Sequence, residues 1–250
     1  MAESISDIKL RLKDAEQEDS LMGFISCYGS DGRSGVKALV KTAGKRLEAL
    51  KAEKERTHKM YAYENEYQDH KFICGIDEVG RGPFAGPVVA AAVILPKDHE
   101  IYYLNDSKLL SETRRKELSE LIKREAVCYA IGQVEAERID EINILQATYE
   151  AMREAIKKLD KKPDILLNDA VTIPGVDIRQ VPIIKGDAKS ASIAAASIIA
   201  KVFRDELMVR YAEQYPEYNF ASNKGYGSQE HRDAIARYGM CPIHRRSFIH

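Results

Sequence analysis

A mixed α/β fold preceded by a small helical extension is predicted for this chain, and three observations carry the prediction. Strand and helix signals alternate from residue 72 onwards. The run 188–209 is dense in alanine and isoleucine, so it reads as a helix apolar enough to be buried against a sheet. Residues 1–70 differ from the rest, with helical periodicity and a local excess of basic residues.

Taking the elements in order, Ile5, Ile8 and Leu12 recur at helical spacing. After the Gly-Ser-Asp-Gly break at 29–32, a second helical pattern runs through Val36, Leu39, Val40, Ala43, Leu47 and Leu50. Between Arg33 and Lys59 nine Lys/Arg stand against three Asp/Glu, and Arg33, Lys37, Lys41 and Lys45 fall four apart on one helix face. Such a stripe is either a solvated face or a contact for phosphates. Residues 51–70 read as a linker or the tail of a long helix. Residues 72–79 and 88–95 are strands separated by a Gly/Pro loop, so an antiparallel pairing is expected. Ser111 caps an amphipathic helix over 111–125, residues 127–134 form a third strand, and Asn143 caps a helix over 143–159. Residues 164–168 and 178–185 are short strands. The expected division is an extension over 1–70 and an α/β domain over 71–250.

The chain has 250 residues, 44% hydrophobic and 31% charged, with a net charge of −1. It can bury a sizeable core, and any contact with nucleic acid must come from local patches rather than global charge. No apolar run is long enough to span a bilayer and no signal-like segment opens the chain, so a cytoplasmic protein without membrane contact is expected. The four cysteines lack metal-ligand spacing, and reduced thiols are expected.

The chemistry centres on Asp77 and Glu78, adjacent carboxylates where the strand 72–79 ends. Strand neighbours point to opposite faces, so both cannot be core residues, and a buried unpaired carboxylate is costly. The following Gly80-Arg81-Gly82-Pro83 supplies backbone that turns sharply and allows close approach of another molecule. Asp169 ends another strand, and Asp187 stands between the last strand and the long buried helix. Taken singly, Asp187 reads better as a helix N-cap, and Asp169 equally as a turn residue. Taken together, four acids at strand ends of one sheet can share a pocket, where divalent cations would relieve their repulsion. Magnesium or manganese suits oxygen ligands, and two such ions ~3.5–4 Å apart can activate water and stabilise the leaving oxygen of a phosphodiester.

Six segments carry a resemblance: Gly75-Ile76-Asp77-Glu78-Val79-Gly80-Arg81-Gly82-Pro83, Asn105-Asp106-Ser107-Lys108, Asn143-Ile144-Leu145-Gln146-Ala147-Thr148, Lys185-Gly186-Asp187-Ala188-Lys189-Ser190, 194–201 and Lys224-Gly225-Tyr226-Gly227-Ser228. In this order they resemble the motifs of bacterial ribonuclease HII over residues 71–250. The resemblance implies a ribonuclease H-like fold with a five-stranded mixed sheet flanked by helices. It also implies two Mg²⁺ or Mn²⁺ ions held by Asp77, Glu78, Asp169 and Asp187, the catalytic acids. The implied activity is endonucleolytic cleavage of the RNA strand in RNA–DNA hybrids and nicking at single ribonucleotides in duplex DNA, leaving 5′-phosphate and 3′-hydroxyl ends. Roles in ribonucleotide excision repair and RNA primer removal are implied with it. Gly80, Arg81 and Gly82 would sense the ribose together with Tyr226, and a 2′-hydroxyl is what distinguishes RNA from DNA at such a site. His231 and the closing His244-Arg245-Arg246-Ser247 also resemble family positions, in substrate or structural roles. Asn168 departs from many relatives and leaves the local hydrogen bonding open.

The nearest rival, a ribonuclease HIII-type enzyme, lacks the arginine of Gly-Arg-Gly, so Arg81 weighs against it. A non-catalytic nucleic-acid binding module would not need four strand-end acids. Lys37, Lys41 and Lys45 are candidates for holding substrate phosphates beyond the cut site, and a monomer is expected. The sequence leaves open whether a replication clamp is a partner.

Overall fold

The structure, a computed structural model, describes residues 3–249. The chain divides into two compact units, with the boundary between Lys59 and Met60.

The first unit is helical. Helix α1 (Ile5–Asp14) starts where the Ser4 side chain accepts a hydrogen bond from Asp7 N–H. Helix α2 (Glu18–Tyr28) and the long α3 (Ser34–Met60) follow. Ile8, Leu12, Leu21, Phe24, Tyr28, Val36 and Ala43 close into one small core, so the apolar face of α3 is covered by its neighbour helices. The sequence pattern does not separate α2, because Glu18, Asp19, Ser20 and Gly23 interrupt its apolar spacing.

The second compact unit begins at Met60, inside the segment that the sequence reading gives to the extension. The reason is packing. Met60 and Tyr61 are buried in the larger core, and the Tyr61 hydroxyl accepts a hydrogen bond from Ile101 N–H at 2.9 Å. The short helix α4 (Ala62–Glu66) then carries Glu64, which reaches the start of a later helix.

Five strands follow: β1 (Ile73–Val79), β2 (Val88–Ile94), β3 (Cys128–Val134), β4 (Ile165–Asp169) and β5 (Arg179–Ile183). They form one mixed sheet in the order β3-β2-β1-β4-β5. β1 is antiparallel to β2 and parallel to β4, while β2–β3 is antiparallel and β4–β5 parallel. The apolar run of β2 is buried on both faces. Val89, Ala91 and Val93 pack with α5 (Glu112–Glu125) and the long α7 (Ala191–Gln214), while Ala90, Ala92 and Ile94 pack with α6 (Ala136–Lys158). Helix α6 breaks at Asn143, whose φ of 68° ends one helical segment; its side chain then accepts from Leu145 and Gln146 N–H to cap the next. The predicted cap at Asn143 is thus present, with an extra helical segment before it.

Helix α7 lies very close to β1. A methyl group added to Gly75 would meet the Ser192 carbonyl carbon at 2.1 Å, which only a shift of backbone could relieve. The N-terminus of α7 is further fixed by Glu64, whose Oε1 accepts hydrogen bonds from Ser190 Oγ (2.6 Å), Ser192 Oγ (2.7 Å) and Ser192 N–H (2.9 Å). Asn168 donates from its amide to Val171 O and Gln180 Oε1, which ties β4 to the loop that leads into β5. Short helices α8 (Phe220–Asn223) and α9 (Gln229–Tyr238) complete the fold, with a 3-10 turn at Arg246–Phe248.

Candidate active site

Strand alternation decides which acids face each other. Cys74 and Ile76 of β1 and Leu166 of β4 pack on the α6 side, whereas Ile73, Ile165 and Leu167 pack on the α7 side with Ile193. Asp77 and Asp169 therefore belong to the α7 face. The register Ile76↔Asn168 brings them to the next position of the same parallel pair. Asp187 joins them through the 3-10 turn Gly186–Ala188, because Gly186 N–H donates to Asp169 Oδ1 at 2.7 Å. Glu78 follows Asp77 at the strand end; its carboxylate feels the Asp169 charge, and Arg81 approaches its Oε1 at 3.4 Å.

The electrostatics show how these groups feel one another. Asp77 is 6% exposed, and burial, then the Glu78 and Asp169 charges, push its carboxyl well above the usual carboxylate range. Burial raises Glu78 as well, with Arg81 opposing and Asp169 adding to the rise. Asp187 is raised by burial and by the charges of Asp106 and Asp169, with Lys108 opposing. The sequence marks Asp106 only as a member of the Asn-Asp-Ser-Lys motif; its nearness to Asp187 comes from the fold.

Among the described residues no three His, Cys, Asp or Glu side chains converge closely enough to hold a metal ion as they stand. The donor set itself fits a hard divalent cation: carboxylate oxygens, partly desolvated, with too little positive charge of their own. Asp77 is already oriented. Its carboxylate accepts from Glu78 N–H at 2.8 Å and from the Ser197 hydroxyl, and Ser197 Oγ lies 2.9 Å from Ser107 Oγ. Both serines stand in family-like motifs, but nothing in spacing alone connects Ser107 to a helix ninety residues later in the chain.

The loop after β1 is enclosed by two other segments. Phe84 and Ala85 N–H donate to Gly225 O, while Gly86 N–H donates to Ile243 O and Arg245 N–H to Phe84 O. Gly80 has a φ of 90°, a conformation that glycine adopts without strain, and Arg81 and Gly82 are exposed. Tyr226, 48% exposed, lies beside Gly82: a methyl group at Gly82 would come within 3.9 Å of its Cε1. The structure thus brings Tyr226 to Gly80, Arg81 and Gly82, at the end of the strand that bears Asp77 and Glu78. His231 and His244 are buried and sit behind this loop rather than on its exposed side. In the first unit Lys37, Lys41 and Lys45 are exposed and form no salt bridge among the described residues, whereas Arg33 is held by Asp31 and by the Glu3 carbonyl.

Comparison with known proteins identifies a family. Residues 74–250 match the profile of the family Ribonuclease HII, and residues 4–68 match that of the Ribonuclease HII N-terminal domain. The ribonuclease HII of Lachnoclostridium phytofermentans is 60% identical over 232 residues, covering 93% of this chain and 91% of the relative. That of Clostridioides difficile is 52% identical over 248 residues, covering 98% and 97%. Among solved structures, the ribonuclease H2 from Pyrococcus horikoshii OT3 superposes with a TM-score of 0.59 at 27% identity, over 70% of this chain and 93% of that one. The five-stranded mixed sheet, the strand-end acids and these matches lead to one conclusion: the chain belongs to the ribonuclease HII family of metal-dependent endoribonucleases.

Proposed function

We propose that the chain hydrolyses the RNA strand of RNA–DNA hybrids and nicks duplex DNA at single ribonucleotides, leaving 5′-phosphate and 3′-hydroxyl ends. The observation that carries this reading is the placement of Asp77 and Asp169 side by side on the α7 face, directly before a loop that offers open backbone beside Tyr226. Asp77, Glu78, Asp169 and Asp187 would hold two Mg²⁺ or Mn²⁺ ions. When bound, these supply a water of lowered pKa and positive charge at the scissile phosphate.

The residues do the rest. Ser197, backed by Ser107, keeps the Asp77 carboxylate aimed while the charge beside it changes. Gly186 N–H keeps Asp169 in register with the turn that carries Asp187. The Arg81 guanidinium, only loosely held by Glu78, is available to a substrate phosphate. Gly80 and Gly82 leave room for a sugar, and the Tyr226 ring can pack against it, so a ribose is read by contact with its 2′-hydroxyl. Arg81 also favours this reading over a ribonuclease HIII-type enzyme.

Lys37, Lys41 and Lys45 would hold phosphates beyond the cut site without reading sequence. Residues 1–70 are then a substrate-affinity appendage to a catalytic domain over 71–250. No helix among the described residues is long and apolar enough to cross a membrane. A cytoplasmic monomer acting in ribonucleotide excision repair and primer removal fits the reading. The test is incubation with a DNA duplex carrying one ribonucleotide, in magnesium, manganese or chelator. Nicking beside the ribonucleotide only with a divalent ion supports it; an intact strand in both metals rejects it.

A further inference from the structure

The closing segment His244-Arg245 takes no part in the metal chemistry, yet it holds one loop beside the candidate ribose site directly and reaches the other through His231. Arg245 is fully buried. Its Nε donates to Gly86 O at 2.9 Å, and its two terminal nitrogens donate to Arg81 O at 3.0 Å and Gly80 O at 2.6 Å. Arg204, equally buried, donates to the carbonyls of Pro87 (3.0 Å), Ala85 (3.1 Å) and Lys224 (3.0 Å). Neither guanidinium forms a salt bridge with a carboxylate among the described residues; six backbone carbonyls serve instead. Burying two adjacent guanidinium groups without a direct carboxylate partner is costly, so the arrangement calls for an explanation beyond packing. Burial and the neighbouring Arg204 charge lower the Arg245 pKa to about 9, which leaves it protonated at neutral pH.

Peptide geometry supplies that explanation. In a trans peptide the C=O of one residue and the N–H of the next point in opposite directions. With Gly80 O and Arg81 O turned inward to Arg245, the N–H groups of Arg81 and Gly82 are turned outward. Both residues are exposed, and neither N–H has a protein partner among the described residues. Successive outward N–H groups form a concavity suited to an oxygen ligand.

A second chain of bonds reaches Tyr226. His244 Nδ1 accepts from Cys241 N–H at 2.9 Å, so in the neutral ring the proton is on Nε2. That nitrogen lies 2.9 Å from His231 Nε2, which must then accept, leaving His231 Nδ1–H to donate to Tyr226 O at 2.8 Å. Burial lowers the pKa of both rings, in keeping with neutral imidazoles. The proton positions are therefore fixed along the whole chain from Cys241 to Tyr226.

We propose that His244 and Arg245 are positioning residues that clamp together the two halves of the ribonucleotide reader. Arg245, with Arg204, aims the Arg81 and Gly82 N–H groups at the substrate sugar, and His244 acts through His231 to hold the backbone that presents Tyr226. The inference rests on the ribose-reading role proposed above for the Gly80–Gly82 loop and Tyr226.

The experiment measures, with Ca²⁺ in place of the catalytic metal, the affinity of the full chain for a duplex with one ribonucleotide and for the same duplex entirely of DNA. Arg245→Lys keeps the charge but cannot span three carbonyls. It should melt cooperatively, bind the all-DNA duplex as the parent does, and lose about tenfold in preference for the ribonucleotide, roughly one hydrogen bond's worth. His231→Phe fills the same aromatic surroundings without a donor for Tyr226 O, and should lower the preference through the other arm. Full preference in either folded variant overturns the clamp. Equal loss of affinity for both duplexes also overturns it, because that is what a merely structural role predicts. Failure of the functional reading looks different: the unmodified chain itself would show no preference for the ribonucleotide.

Discussion

The acids at the ends of β1 and β4 and the lysines of α3 are both sets of charges proposed to serve the substrate, yet they do not carry equal information. Asp77 is buried, feels Glu78 and Asp169, and has its carboxyl driven upward, so keeping it there costs folding free energy. Lys37, Lys41 and Lys45 are exposed, where water and salt solvate each charge at little cost. Retained strain in the first case points to a task; free solvation in the second does not. The same contrast separates Glu64 and the His231–His244 pair, both held by named hydrogen bonds, from the open lysine stripe.

The largest effect belongs to the buried acids. Asp77→Asn or Asp169→Asn should reduce cleavage by at least about a hundredfold, since each removes a charge from the proposed ligand set. For Asp77, the folded-state pKa lies above the unfolded value, so its stabilising contribution is present below the unfolded pKa and is lost as pH rises through the folded one. Asp77→Asn should therefore raise the Tm of the metal-free protein at neutral pH. A lower Tm with unchanged activity would erase the contrast between the two regions.

A chain that begins at residue 71 should be less stable than one that begins at Met60. It loses the burial of Tyr61 and the three hydrogen bonds that Glu64 accepts at the start of α7, together worth several kcal/mol, on the order of 3–5. Equal midpoints in urea would return the boundary to residue 70.

Buried neutral histidines give the next effect. Burial, then the neighbouring His231, depress the His244 pKa to about 4, so the stability it contributes is complete above the unfolded value and is lost as pH falls towards the folded one. Between pH 6.5 and 4 the protein should lose roughly 2–3 kcal/mol through this residue. His244→Gln should flatten that part of the profile, and an unchanged slope would show that the acid sensitivity lies elsewhere.

Tyr226 stands between the two extremes, being exposed but held by its backbone. If its ring packs on the sugar, Tyr226→Ala should lose about tenfold more activity than Tyr226→Phe; if its hydroxyl carries recognition, the two should be equally poor. Full activity in both would remove it from the site. The smallest effect is expected from the exposed stripe. Reversing Lys37, Lys41 and Lys45 to Glu should weaken substrate binding without changing the bond that is cut, and should make the salt dependence shallower by about 0.9 for each phosphate no longer neutralised. An unchanged salt slope would make the stripe a solvated face and nothing more.

Much of this molecule is legible without its structure. The alternation of strand and helix patterns locates all five strands of the sheet, because β2 and the α7 segment are too apolar to lie anywhere but a core. The four acids are legible as a set because each stands at or just beyond the end of a strand pattern. The convergence of distant segments is not. Arg245 looks in sequence like any basic residue of a polar tail and Arg204 like one on the polar side of α7, and only the fold shows that both are fully buried against carbonyls. Ser197 reads as a small residue in an alanine-rich helix until β1 is seen beneath it. The start of the larger unit escapes the sequence for a related reason: residues 60–70 are polar enough to resemble a linker, while the contacts that hold them, through Tyr61, Glu64 and Tyr67, are made one residue at a time.

The reading proposed for the buried, mutually repelling acids and the open loop beside them is a metal-dependent site that reads ribose. The most direct measurement places a single ribonucleotide in a closed circular DNA duplex and follows its conversion to the nicked form. One nick at the ribonucleotide is expected with magnesium or manganese, none with chelator, none in an all-DNA circle, and none with Asp77→Asn. Nicking that persists in chelator, or that occurs equally in the all-DNA circle, would contradict it.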